Sequence, residues 1–333
     1  MAGADQDATR RGDEEFDAPP SGDSRGPLHT PRSFESLGAE AKRLTGRARD
    51  FNEKVNERSG RNLAIAVAIG IGLIGAVLAS LLFDKRWFIL FGVAMVALLV
   101  VELSTAMRVG GMRVPRVPST IAALVVVPVA FVYGAAWLWG SLLIGTVFVL
   151  LWRCVQMLFE SPRPTGRQLA EDAACIIFVQ LYTTFLGAFT ALLVAQPRGE
   201  LWALVFIVVV VCVDTGAYAT GLRFGRTKLA PRVSPGKTWE GTLGGTALAI
   251  LAAVLLGHFL LGLPWWFGFV MGPALTITAT AGDLTESMIK RSLGVKDMSN
   301  WLPGHGGFFD RLDSILPSGA MAFALYFWAA PLM

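Results

Sequence analysis

Charge is scarce in this chain. Asp, Glu, Lys and Arg together make up 16% of the 333 residues, against about 25% in an average soluble protein. A surface so poor in charge cannot keep a body of this size in water, which excludes a soluble enzyme and a free nucleic-acid binder; no nucleic-acid partner is expected. Cysteine is almost missing as well. Cys154, Cys175 and Cys212 lie in or beside apolar runs without C-x-x-C spacing, which removes a disulfide scaffold, a zinc site and thiol redox chemistry. Histidine occurs three times, and His29 and His258 have no partner at ligand spacing. What the chain holds in quantity is apolar: 53% of it is hydrophobic.

Much of the charge sits in residues 1–60, which contain no apolar stretch able to offset the entropy of ordering. This segment is expected to be a disordered cytoplasmic tail. Within it, Phe34, Leu37, Ala41, Leu44, Ala48, Phe51 and Val55 recur at three- and four-residue steps between basic residues. That pattern predicts an amphipathic helix over 34–58, which either lies on anionic headgroups or stands as a solvated helix or short coiled coil.

From Asn62 onward the chain reads as apolar stretches long enough to cross a hydrocarbon core of about 30 Å. About nine are expected, near 62–83, 87–107, 118–136, 137–156, 173–195, 200–221, 241–262, 264–283 and 314–332. The predicted fold class is therefore all-α, a polytopic integral membrane protein. It divides into N-terminal transmembrane helices over 61–196 and a C-terminal catalytic region over 197–333.

Lysine and arginine accumulate on the cytoplasmic side of membrane proteins. With these spans, 26 of the 29 Lys and Arg fall on one side, including a loop group of Arg153, Arg163 and Arg167, and only Lys85, Arg86 and Arg198 fall on the other. The N-terminus is thus expected in the cytoplasm and the C-terminus opposite, in the cell membrane.

Polar groups within a bilayer are costly and are candidates for function. Glu102 and Gln180 stand alone in apolar helices and read as packing hydrogen bonds. Two cytoplasmic segments differ. In the first, Asp214 and Tyr218 lie one helical turn apart and are expected to be buried at the end of span six. The loop after them carries Lys228, Ser234, Lys237, Thr238 and Glu240, a composition suited to phosphate oxygens beside a helix start. A loop that merely fixes topology is the competing reading. In the second segment Asp283, Ser287 and Lys290 form a stripe leaving the membrane, followed by Arg291, Lys296, Asp297, His305, Asp310, Arg311 and Asp313. Carboxylates near Lys, Arg and glycine-rich backbone suit a divalent cation together with phosphate; a structural salt-bridge cluster is the alternative.

The run from Ser287 to Asp313 reads S-x-I-K-R-x4-K-D-x-S-x2-L-P-x-H-G-G-F-x-D-R-L-D. It resembles the signature of phosphatidate cytidylyltransferases, also called CDP-diacylglycerol synthases. The block from Asp214 to Gly241 is similar to that family's second polar block, although Gly236 stands where many relatives carry a basic residue. The resemblance covers roughly 200–333 and implies a magnesium-dependent reaction of CTP with phosphatidic acid in a lipid membrane, giving CDP-diacylglycerol and pyrophosphate.

It further implies Asp283 and Asp310 as first metal ligands, with Asp313 and Asp214 behind them, and admits a second metal ion. Lys290, Arg291 and Arg311 would hold phosphates, and His305 would donate to the leaving group or shape a tight backbone turn. Asp214, Tyr218, Lys228, Ser234, Lys237, Thr238, Glu240, Ser287, Lys296 and Asp297 are the expected substrate contacts. A homodimer is compatible with this reading. Two rivals remain: a CTP-dependent polyprenol or phytol kinase, and a cation-binding transporter, which would spread its acids over symmetry-related helices. The D-G-x2-A-R pattern of CDP-alcohol phosphotransferases is not found.

Overall fold

The computed structural model describes residues 70, 72, 75–81, 85–299, 301, 302 and 306–332. The tail, its helix over 34–58, His29, His305 and much of the expected first span lie outside the described residues; residues 75–81 of that span are helical. The chain then runs through α1 (Lys85–Val109), α2 (Arg116–Tyr133), α3 (Ala135–Leu158), α4 (Gly166–Val179), a π-helical turn (Gln180–Phe185), α5 (Leu186–Ala195) and α6 (Gly199–Phe224). A hairpin of β1 (Lys228–Ala230) and β2 (Ser234–Thr238) leads into α7 (Trp239–Phe259), α8 (Gly268–Leu293), the short α9 (Phe309–Leu312) and α10 (Ile315–Ala329). This is an all-α polytopic membrane protein.

Among the described residues, seven helical stretches are long and apolar enough to cross a membrane. The fourth combines α4, the π-helical turn and α5 as Gly166–Ala195. The expected eighth span, in α8, is not among the seven. At 26 residues it is long enough at about 39 Å, but its last three turns carry Asp283, Glu286, Lys290 and Arg291, which lower its hydropathy. Large apolar side chains on α3, such as Trp137, Leu143, Ile144 and Leu151, are exposed, as lipid-facing residues should be where hydrocarbon is the solvent.

Because lipid tails are as apolar as leucine, such helices associate through close packing. The pair α6 and α7 shows it: a Cβ at Gly245 would come within 2.6 Å of the Val213 carbonyl oxygen, so this crossing requires glycine. One apolar core joins the two halves of the chain, with Val96, Leu99 and Leu103 of α1 packed in the same cluster as Ile289, Phe309 and Leu316.

Two of the three cations assigned to the sparsely charged side, Lys85 and Arg198, make structural contacts. Lys85 pairs with Glu200 at 2.8 Å and donates to the Gln196 carbonyl at 2.7 Å. Arg198 donates to the carbonyls of Leu260 and Leu261 at 2.7 and 3.1 Å, oxygens that the end of α7 leaves without helical partners.

Arg153, counted above as a loop residue, lies inside α3 and is 1% exposed. It is buried because it has acidic partners: its Nε donates to Asp172 of α4 at 2.8 Å, and its guanidinium also reaches Glu160 at 3.1 Å. Outside the spans, Arg113 meets Glu160 at 2.6 Å and holds its carboxyl below the ordinary carboxylate value. Since the folded value is the lower one, the stabilisation is complete above the unfolded value of about 4.3 and disappears as pH falls through the folded value. Thermal unfolding followed from neutral to acidic pH should therefore show a steeper acid loss in the wild type than in Glu160→Gln.

Candidate active site

Helix α8 supplies the scaffold. Asp283, Glu286, Ser287 and Lys290 stand at i, i+3, i+4 and i+7, so they share one face. Asp283 Oδ2 pairs with Lys237 of β2 at 2.6 Å, and its Oδ1 accepts from Ser287 at 3.4 Å. Lys290 Nζ lies between Glu286 at 2.8 Å and Asp310 at 3.0 Å. The junction of α9 and α10 brings in Asp313, which is buried. Gly282 permits that approach, since a Cβ there would overlap the Asp313 carbonyl oxygen. From the π-helical turn, Tyr182 donates its hydroxyl to the Gly282 carbonyl at 3.2 Å, fixing α8 one residue before Asp283.

Carboxylate oxygens of Asp283, Glu286 and Asp313 all lie within 4.8 Å of one another. They open on a cavity of about 570 Å³ whose wall also holds Asp214, Asp310, Lys237 and Arg311. Five acids against two bases leave an excess of negative charge, and all the acids offer hard oxygen donors. This donor set fits a divalent cation. A second cavity of about 440 Å³ is lined by Ser234, Ser287, Lys290, Arg291 and Lys296. It is cationic, and Ser234 lines both cavities. An acidic chamber beside a basic one suits a metal ion and an anionic, phosphate-bearing ligand held together.

Residues 64–329 match the Cytidylyltransferase family. The chain belongs to that family. Among its relatives, a phosphatidate cytidylyltransferase of Mycobacterium leprae is 32% identical over 287 residues, covering 84% of this chain and 92% of the relative. One of Mycobacterium bovis is 34% identical over 274 residues, covering 80% and 88%. One of Haemophilus influenzae reaches 44% over a shorter stretch of 139 residues, 40% of this chain and 48% of that protein.

For this member of the family, the sequence-predicted residues separate into groups. Asp214, Tyr218, Ser234, Lys237, Thr238, Asp283, Asp310, Arg311 and Asp313 line the acidic cavity. Ser287, Lys290, Arg291 and Lys296 line the basic one with Ser234. Lys228, Glu240 and Asp297 line neither. Lys228 sits opposite Thr238 in the hairpin register, and Glu240 accepts the N–H groups of Arg226 and Thr227 at 3.1 Å, closing the hairpin base. Thr238 caps α7 by accepting from the Gly241 N–H at 3.1 Å.

The expected burial of Asp214 and Tyr218 is corrected: Tyr218 is 73% exposed and Asp214 is also exposed. Both face the open cavity, which sets Asp214 near the other acids without enclosing it. Glu102 is a second correction. It is not isolated, because it accepts hydrogen bonds from Ser299 and from the N–H groups of Phe308 and Phe309.

Sequence reasoning passed over Glu286, although its place three residues after Asp283 puts both on one helix face. Asp310 takes up a different role from the three clustered acids. Its carboxylate accepts from the Met298 N–H at 3.1 Å and the Gly307 N–H at 2.8 Å, besides meeting Lys290, so it braces the loop before α9.

Proposed function

We propose that this chain is a phosphatidate cytidylyltransferase, forming CDP-diacylglycerol and pyrophosphate from CTP and phosphatidic acid. The observation that carries the reading is the acidic cavity joined to a basic one through Ser234, in a chain whose relatives bear that activity in their names. A phosphate-monoester oxygen of the lipid attacks the α-phosphorus of CTP, a new P–O bond forms, and the bond to the β-phosphate breaks to release pyrophosphate. The monoester is largely ionised near neutral pH, since its second pKa is about 6, so no strong general base is required. Positioning and charge neutralisation carry such a transfer.

Asp283, Glu286 and Asp313 would hold magnesium, with Asp214 and Asp310 close by and room in the reading for a second ion. Bound there, the metal supplies charge neutralisation between two anionic reactants. Arg291, Lys296 and Ser287 would receive the triphosphate. Arg291 keeps guanidinium N–H groups for this while its Nε donates to the Val233 carbonyl at 3.1 Å. Lys237 and Arg311, at the acidic cavity, would meet the lipid phosphate. The division of Lys and Arg, 25 to 3 once the helix-buried Arg153 is set aside, supports placing these cavities on the cytoplasmic face of the cell membrane, where CTP is available.

The test is incubation of the purified full chain in detergent with labelled CTP, magnesium and phosphatidic acid. CDP-lipid with stoichiometric pyrophosphate is expected. Formation of CDP and a phosphorylated polyprenol from added polyprenol would select the kinase instead. Absence of product with every lipid phosphate offered would overturn the enzyme reading.

A further inference from the structure

Glu102 lies in α1, directly after the apolar run Ala97-Leu98-Leu99-Val100-Val101, and is 1% exposed. A carboxylate removed from solvent is destabilising unless donors replace its water. Here the donors come from one place. Ser299 donates its hydroxyl to Oε1, the Phe308 N–H donates to Oε1 at 3.2 Å, and the Phe309 N–H donates to Oε2 at 2.7 Å. All three belong to the segment between α8 and α10, about two hundred residues further along the chain.

That segment needs an outside partner. Helix α9 is a single turn with no side-chain cap of its own, and the first N–H groups of a helix have no internal acceptors. The Glu102 carboxylate supplies the missing acceptors from another helix. The two glycines before α9 fit the arrangement: Gly306 takes φ +79°, and a Cβ on Gly307 would overlap Glu102. From the other side Asp310 holds the N–H groups of Met298 and Gly307. The chain entering α9 is therefore clamped between the carboxylates of Glu102 and Asp310, and Arg311 and Asp313 follow at the cavity wall.

We infer that Glu102 is a positioning residue for the proposed nucleotidyl transfer: by binding Ser299, Phe308 and Phe309 it sets the place of Arg311 and Asp313 in the acidic cavity. The inference rests on the proposed function of that cavity. Gln at 102 keeps size and polarity but has one acceptor oxygen where Glu has two, so at least one of the three donors is left without its acceptor. Asp keeps both oxygens on a side chain one methylene shorter.

The experiment uses the full chain in detergent and compares wild type, Glu102→Gln and Glu102→Asp by kinetics, melting temperature and amide hydrogen exchange. Misplacement by about 1 Å costs about 100-fold, so Glu102→Gln should lose about 100-fold in kcat. Its KM for CTP and for lipid should stay within about threefold, the signature of an interaction that matters chiefly in the transition state. Glu102→Asp, which keeps both acceptor oxygens, should lose less kcat than Glu102→Gln. The melting temperature should hold, while exchange quickens in the peptide spanning 306–313 alone.

Wild-type kcat in Glu102→Gln would overturn the inference. So would a fall in melting temperature with exchange raised along the whole chain, which marks a residue that merely stabilises the bundle. If the wild type makes no CDP-lipid, the reading of the reaction fails, and the local exchange in Glu102→Gln still decides whether Glu102 holds the segment.

Discussion

Replacing Asp283 by Asn should abolish most CDP-lipid formation while leaving the folded protein intact. The substitution keeps the volume and an acceptor for the Ser287 hydroxyl, so α8 retains its packing. What it removes is one negative charge from the group shared with Glu286 and Asp313, together with the 2.6 Å ion pair to Lys237. Stabilisation of phosphate charge by a bound divalent ion is worth several kcal/mol, and losing about 4 kcal/mol of it lowers the rate about 10³-fold. The apparent magnesium requirement should rise in parallel, because one hard oxygen of the proposed metal site would be weakened. Activity measured against magnesium concentration checks both. Wild-type turnover at the wild-type magnesium optimum would remove Asp283 from the metal site.

Asp310 offers a contrast within the same cavity. Its oxygens already accept from two backbone N–H groups and meet Lys290, so its lone pairs are largely engaged in holding the loop. A substitution there acts first on the loop that carries Arg311 and Asp313, and magnesium titration separates that behaviour from the Asp283 effect.

Much of this arrangement could be read from residue order. Span length and the Lys and Arg distribution marked the helices, since hydrocarbon thickness and loop charge leave strong one-dimensional signals. The two polar segments also stood out, because in an apolar chain each cluster of carboxylates is conspicuous. Residues whose role depends on a distant partner were not legible. Glu102 looked alone because its donors, Ser299, Phe308 and Phe309, are contributed by a loop far along the chain, two of them through backbone N–H groups that no sequence pattern displays. Tyr182 was silent for the same reason: its acceptor is the Gly282 carbonyl. Asp214 is exposed on the wall of an open cavity, and helical spacing alone does not encode where such a cavity opens.

Arg153 should be the most sensitive position for stability outside the candidate active site. It is the one cation that reaches Asp172 through two nitrogens, Nε and Nη2, both at 2.8 Å among the described contacts, and it also holds Glu160. Arg153→Met fills similar space but strands a carboxylate in a buried position, and breaking one partner of a buried pair costs about 3–5 kcal/mol. For a chain of 333 residues that corresponds to roughly 4–7 °C in melting temperature. A second substitution, Asp172→Asn, should recover part of the loss, because Asn keeps the acceptor for the Arg113 N–H, now at 2.6 Å from Asp172 Oδ1, without the unpaired charge. Thermal unfolding in detergent of the two single variants and the double variant measures the coupling. Additive losses would mean that the charges of Arg153 and Asp172 act independently, and the account of why α3 buries an arginine would fail.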